Sequence, residues 1–150
     1  MEVKWMVRKD MPHVLRIEKE SFEQPLTEED FVKILRERNV IGMVAKSGTG
    51  EVLAFMLYEL LENKFRLLDF AVGAKYRRRG IGRQLLNAMR GKLKEERRRS
   101  IVVEIADDNL AAHLFFRSAG YRAVRVHRGK AGDSYLFRWH LNYESALAKV

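Results

Sequence analysis

The sequence predicts a mixed α/β domain with elements in the order β-α-α-β-β-β-α-β-α-β-β. Three observations lead there. Short apolar runs alternate with segments whose apolar residues recur at helical spacing. Two of those runs, 40–45 and 52–58, are separated only by KSGTGE, a glycine-rich turn that makes them a hairpin. A helix-patterned stretch from about Gly80 to Arg98 joins two apolar runs, 65–72 and 101–106, so that pair forms a right-handed parallel crossover.

The elements follow in order. Residues 3–7 (VKWMV) form a short strand. Met11, Val14, Leu15 and Phe22 suit a helix from about Asp10 to Phe22, capped by Asp10 with Pro12 in its first turn. Pro25 ends it. Thr27 opens a second helix, with Asp30 three residues on and Phe31, Ile34 and Leu35 at helical spacing. After the hairpin, strand 65–72 is nearly all apolar and therefore central. The next helix carries Ile81, Leu85, Met89 and Leu93 on one side, and its end, EERRR at 95–99, places cations where the helix dipole favours them. Strand 101–106, a helix from about Asn109 to Ser118, and strands 121–127 and 134–141 complete the chain.

No repeat, low-complexity segment or linker interrupts residues 1–150, which read as one domain long enough to bury a core. The chain has no cysteine, which excludes disulfides, thiolate zinc sites and a cysteine nucleophile and is compatible with a cytoplasmic location. The N-terminal residues lack the apolar stretch of a signal peptide, and Val52–Leu61 is too short to span a bilayer, so no membrane association is expected. With 29 Lys and Arg against 20 Asp and Glu, the net charge is +9. A basic surface suits nucleic acid, a ribosome or a small polyphosphate coenzyme, or it simply keeps the chain soluble.

The chemistry concentrates after strand 65–72. There LDFAV leads through GAKY into RRRGIGR and then an amphipathic helix. A helix start offers unpaired N–H groups and the positive end of the dipole, and glycine lets a phosphate approach the backbone. A dinucleotide fingerprint would need a third glycine near Leu85, and a nucleotide-triphosphate loop would need Gly-Lys-Ser/Thr; neither is present.

What remains, Arg77-x-x-Gly80-x-Gly82, resembles the Arg/Gln-x-x-Gly-x-Gly/Ala loop of the GNAT superfamily of N-acetyltransferases. Downstream, VEIADDNLAAHLFFRSAGY resembles the strand-helix-strand unit in which those enzymes place an Asn and an aromatic near the coenzyme, closing on Gly120-Tyr121. IEKESFEQPLTEEDF is similar to the IE-x-x-x-F-x-x-PW-[ST] segment of the RimI-type enzymes, which acetylate the N-terminal alanine of a ribosomal protein; Leu26 stands where those have Trp. The resemblance runs over about residues 5–141. It implies a GNAT fold: a mixed, mostly antiparallel sheet of about seven strands, with one splayed parallel pair and about four flanking helices.

The same resemblance implies acetyl-CoA as cosubstrate and assigns residues. The backbone of Phe70, Ala71 and Val72 would pair with the pantetheine arm, the side chains of Phe70 and Val72 being core. Arg77 opens the loop motif, and the amides of Arg78, Arg79, Gly80, Ile81, Gly82 and Arg83 would cradle the pyrophosphate. Asn109 would hydrogen-bond the coenzyme arm; its other role is to cap the helix, for which Asp107 and Asp108 also offer oxygens. Glu104 matches the general base. Read by itself, it is a lone carboxylate among Ile101, Val102, Val103, Ile105 and Ala106, costly to bury unless paired or functional, and burial would raise its pKa toward a useful range. A salt bridge to an arginine is the alternative. Asp69 is a second candidate, with a loop or cap hydrogen bond as its plainer role.

Phe116 occupies the position at which RimI-type enzymes have the Tyr that protonates the leaving thiolate. Releasing thiolate near neutrality costs about 2 kcal/mol relative to a thiol of pKa about 8.5, which slows the reaction without preventing it. Water or a more distant tyrosine would then serve, with Phe116 packing over the sulfur. The mechanism implied is direct attack by a neutral amine on the thioester, with a strand amide near Val72 polarising the carbonyl.

The acceptor is an amine: a protein or peptide N-terminus, for which the resemblance implies a ribosome association, or a small metabolite. An α-amine has the lower pKa, about 7.7–8.0 against 10.4 for lysine, and is easier to deprotonate. Glu18, Glu20, Glu23, Glu28, Glu29 and Asp30 make an acidic reversal in a basic chain, either a rim for a cationic acceptor or helix-start acids and solvated surface. A third reading keeps the fold without strong catalysis, as a module binding ribosome or nucleic acid. Histidines 13, 113, 127 and 140 lack metal-ligand spacing, so no metal is expected; His113 either lines the site or packs. The sequence leaves the oligomeric state open.

Overall fold

The computed structural model describes residues 1–143; residues 144–150, which the expectation of one domain includes, lie outside the described residues. The elements are β1 (Glu2–Trp5), α1 (Met11–Ser21), α2 (Glu28–Leu35), β2 (Val40–Lys46), β3 (Val52–Leu60), β4 (Lys64–Val72), α3 (Ile81–Arg90), β5 (Ser100–Ala106), α4 (Leu110–Ser118), β6 (Arg122–Gly129) and β7 (Gly132–His140). One sheet of seven strands runs in the order β1-β2-β3-β4-β5-β7-β6, with β4 at its centre as its apolar sequence predicts. The β4–β5 pair is parallel, from Lys64↔Ser100 to Leu67↔Val103, and the pairs β1–β2, β2–β3, β5–β7 and β6–β7 are antiparallel.

The chain divides into two compact units, and β4 contributes to both. The first comprises Met1–Leu60 and Leu68–Lys92. Its core joins Val14 and Ile17 of α1 and Phe31 of α2 to Val44, Val52, Phe55, Leu57 and Ala71, with Phe31 edge-on to Phe55 at 5.7 Å. Thr27 caps α2 as predicted: its hydroxyl accepts from Asp30 N–H, and Asp30 accepts from Thr27 N–H. Asp10 does not cap α1. Its carboxylate is buried, accepting from Val7 N–H at 2.9 Å and ion-paired to Lys46 at 2.9 Å. It therefore closes the 3₁₀ turn Arg8–Asp10 that precedes the helix.

The helix expected to reach Arg98 stops at Arg90. Gly91 follows, and glycine costs roughly 1 kcal/mol relative to Ala inside a helix. Beyond it the chain folds back, with Lys94 N–H bonded to Arg98 C=O, Arg98 Nε donating to Leu61 C=O at 2.6 Å and Arg99 N–H to Asn63 C=O at 3.1 Å. EERRR therefore belongs to this connection and not to a helix terminus. The apolar stripe holds all the same: Ile81, Leu85 and Met89 are buried on α3 and Leu93 just after it.

The second unit comprises Leu61–Leu67 and the chain from Leu93 onward. Ile101, Val103 and Ile105 of β5 alternate with Val102 and Glu104 on the other side of the strand. Directly paired strand residues share a face, so Ile101↔Trp139 and Val103↔Phe137 lie on one side of the sheet. Phe116 of α4 and Tyr121 add to the unit's buried aromatic residues.

Candidate functional site

In the first unit, β4 ends at Val72 and the chain turns sharply. Gly73 N–H bonds Leu53 C=O at 2.8 Å, and Ala74–Tyr76 form a single 3₁₀ turn. Arg77 fixes the exit of the loop: its Nε donates to Val72 C=O and its guanidinium to Ser21 Oγ, both at 3.0 Å. Two residues then adopt left-handed backbone, Arg78 at φ 64° and Gly80 at φ 80°. A Cβ on Gly80 would meet nothing within 4 Å, so backbone conformation and not crowding is what requires glycine there. Gly80 precedes α3 without any side-chain cap, and the first turn holds no acid. The amides of Ile81 and Gly82 thus have no intrahelical acceptor and stand at the positive end of the dipole, an arrangement that favours an anion. Arg79 lies 5.9 Å from the Tyr76 ring, whose hydroxyl donates to Glu51.

Of the strand residues expected beside a coenzyme, Ala71 is buried while Phe70 and Val72 are half-buried. The preceding Asp69 does more than accept a loop hydrogen bond. Its Oδ1 accepts from Phe70 N–H at 2.9 Å, while its Oδ2 is buried without a donor. Glu18 of α1 is also buried; its Oε2 accepts from Leu26 N–H at 2.9 Å, and its Oε1 likewise has no donor. Two carboxylates facing each other without a donor between them favour the neutral form of Asp69. Burial, then the hydrogen bond and charge of Glu18, push Asp69 up to about 8, with Phe70 N–H pulling the other way.

The acidic rim is thinner than its sequence. Glu18 is interior, Glu20 accepts from Ala74 N–H at 2.8 Å, and Asp30 is held below its usual range by Thr27. Glu20, Glu23, Glu28 and Glu29 remain exposed.

In the second unit, Glu104 is exposed, not buried: the side chain keeps 39% of its surface. It accepts from Ser134 Oγ at 2.7 Å and lies 3.8 Å from Arg66. Its apolar sequence neighbours mislead because its register partner is Leu136, on the side of β5 opposite Ile101 and Val103. Asn109 caps α4, its Oδ1 accepting from Ala112 N–H at 3.2 Å, so the cap comes from Asn109 and not from Asp107 or Asp108. Phe116 is 4% exposed and packs edge-on against Phe115 and Tyr121, each at 5.1 Å. His113 packs, stacked edge-on to Tyr135 and Phe137, with its Nε2 at 2.9 Å from Ala106 C=O.

Sequence reasoning missed the Glu18–Asp69 pair. The signal was there: Glu18 follows Ile17 one turn after Val14 on the apolar side of α1, and Asp69 interrupts an apolar strand.

The family model for the acetyltransferase (GNAT) family matches residues 9–121. The chain belongs to that family. It is accordingly an acetyl-CoA-dependent N-acetyltransferase, and its sheet is the GNAT sheet. Among characterised relatives, it is 25% identical over 119 residues to the ribosomal protein bS18-alanine N-acetyltransferase of Escherichia coli, covering 79% of each chain. The crystal structure of the ribosomal-protein-S18-alanine N-acetyltransferase from Escherichia coli shares the fold at a TM-score of 0.80 and 20% identity, covering 93% of both chains. Ard1 from Thermoplasma volcanium does so at 0.79 and 22% identity, covering 93% of this chain and 97% of that one. No metal-binding cluster of His, Asp or Glu occurs among the described residues. Nor is any helix among them long and apolar enough to cross a membrane.

Proposed function

We propose that this GNAT enzyme acetylates the α-amine at a protein or peptide N-terminus, with residues 1–150 acting as one acetyltransferase domain. The observation that carries its coenzyme half is the uncapped start of α3 behind the left-handed residues Arg78 and Gly80; the acceptor half rests on the likeness to a ribosomal-protein alanine N-acetyltransferase. Amides of the Arg78–Arg83 segment hold the pyrophosphate there, with Arg77 anchoring the loop to β4, and the backbone of Phe70, Ala71 and Val72 receives the pantetheine arm. Asn109 spends its oxygen on the helix cap, which leaves its amide N–H groups for the coenzyme role the family resemblance gives it. Phe116 contributes shape alone.

In the reaction, the amine nitrogen attacks the thioester carbonyl carbon, a C–N bond forms and the C–S bond breaks. Glu104 takes the amine proton through water, which its exposure admits, while Ser134 and Arg66 hold its carboxylate in place. The thiolate takes a proton from solvent, since phenylalanine at 116 has none to give. A bacterial relative that acts on a ribosomal protein supports an N-terminal alanine as acceptor and association with the ribosome. The lack of cysteine suits a cytoplasmic setting.

The test is thiol release from acetyl-CoA with peptides bearing a free α-amine, the same peptides N-terminally blocked, polyamines and aminoglycosides. Release with free peptides and none with blocked ones supports the reading; faster turnover of polyamines moves the acceptor to small amines. Coenzyme binding without turnover of any amine would leave a binding module. Glu104→Gln should lower kcat by about 10²–10⁴-fold with the KM for acetyl-CoA unchanged. An unchanged kcat removes Glu104 as the base.

A further inference from the structure

The second unit contains a groove of about 680 Å³ whose lining includes none of the residues proposed for acetyl transfer. Register explains how it forms. Lys64↔Ser100↔His140 make one row of side chains on one face of the sheet, and Val102↔Arg138↔Arg122 make the next. Between Ala123 and Arg125 a bulge shifts the β6 register, and both Val124 and Arg125 line the groove. The backward turn after α3 adds Arg97 and Arg99 at the rim.

The result is a groove lined by Lys64, Arg97, Arg99, Arg125 and Arg138, with Glu96 the one acid among the described residues of its lining. Among the described residues none of these five cations has a carboxylate partner. Arg138 and Arg122 face each other directly in register, an unfavourable like-charge pair that Tyr143 separates: its hydroxyl accepts from Arg138 Nε at 3.1 Å and its ring lies 3.9 Å beneath Arg122. His140 is held below its usual pKa by partial burial, then by Arg138 and Arg99.

We propose that this groove binds single-stranded RNA through its phosphodiester backbone. Four of its five cations are arginines, whose planar forks suit phosphate oxygens. Neutral polar groups stand among them, Asn63 and Ser100, matched in chemistry to a ribose 2′-hydroxyl. Val124 and Leu136 supply apolar surface on which a base can lie. An acidic protein segment would meet the charge but leave those features unused. The site involves neither the α3 loop nor Glu104, so it stands whether or not the acceptor is a protein N-terminus.

The test is fluorescence anisotropy with a labelled oligouridylate, across a salt series, on the full chain with and without saturating acetyl-CoA. Binding should persist with the coenzyme present. The double variant Arg97→Gln/Arg125→Gln should weaken it at least tenfold and lower the slope of log K against log salt by about 1.4, two phosphates at about 0.7 each for a single strand. The same variant should keep wild-type thiol release, which separates this site from the catalytic reading. Displacement of RNA by acetyl-CoA, unaltered affinity in the double variant, or equal affinity for the matching DNA or for polyglutamate would each overturn the proposal.

Discussion

Asp69→Asn tests whether a proton bridges α1 and β4. Asp69 has a folded pKa pushed up to about 8, far above its value of 3.8 in an unfolded chain. Between those values the folded protein binds a proton that the unfolded chain has released, so unfolding becomes easier as pH rises. The stabilising contribution is complete below the unfolded pKa and disappears as pH climbs through the folded one. One proton corresponds to a slope of about 1.4 kcal/mol per pH unit, hence roughly 3 kcal/mol between about pH 5 and pH 7 as an upper bound. Asparagine keeps the size and offers a permanent N–H donor to Glu18 Oε1, so the variant should lack this slope. Urea unfolding across that range should show wild type losing stability relative to Asp69→Asn as pH rises. Glu18→Gln should remove the slope as well: its amide nitrogen can donate to ionised Asp69 while its oxygen keeps the bond from Leu26 N–H. A constant difference between wild type and Asp69→Asn at all pH values would refute the shared proton.

Two further substitutions probe the elements around the loop. Gly80→Ala places a side chain at φ 80°, which costs about 1–2 kcal/mol of stability by thermal unfolding. If the α3 amides hold the pyrophosphate as proposed, it should also raise the KM for acetyl-CoA, because relaxing that strain turns those amides; an unchanged KM would detach the loop from the coenzyme. Thr27→Ala removes the hydroxyl that accepts from Asp30 N–H, for a loss of about 1 kcal/mol in urea unfolding at neutral pH. Thr27 also holds the Asp30 carboxyl below its usual range, so the stabilisation that this carboxyl provides fades as pH falls through the depressed value.

Element order and the strand-loop-helix geometry at 65–90 were legible because they rest on local rules. The T-x-x-D box, the glycine-rich hairpin turn and the strand-loop-helix at 65–90 are each set by residues a few positions apart, and the structure follows them. Failures came where distant residues decide. The end of α3 depends on Arg98 and Arg99 finding the carbonyls of Leu61 and Asn63, some 36 residues earlier in the chain. Asp10 was drawn from its expected cap by Lys46, likewise 36 positions away.

Glu104 and Asp69 show the same rule acting in opposite directions. Both are single carboxylates in apolar strands, and sequence made Glu104 the better candidate for a perturbed group. In a strand, however, neighbours along the chain point to the other face, and surroundings are set by cross-strand and cross-layer partners. Glu104 shares its face with residues of β7 and meets the hydroxyl of Ser134, the guanidinium of Arg66 and solvent. Asp69 meets a second buried carboxyl, Glu18, from a helix that lies about 50 residues before it. The exposed carboxylate is thus open to water, as the role proposed for it requires. The buried one, pushed up to about 8, faces Glu18, whose other oxygen holds Leu26 N–H, so the pair ties α1 and the segment at Leu26 to the strand that leads into the loop before α3. If Asp69→Asn preserved kcat while flattening the pH dependence of stability, and Glu104→Gln lowered kcat, proton transfer and proton storage would be assigned to different carboxylates of one chain.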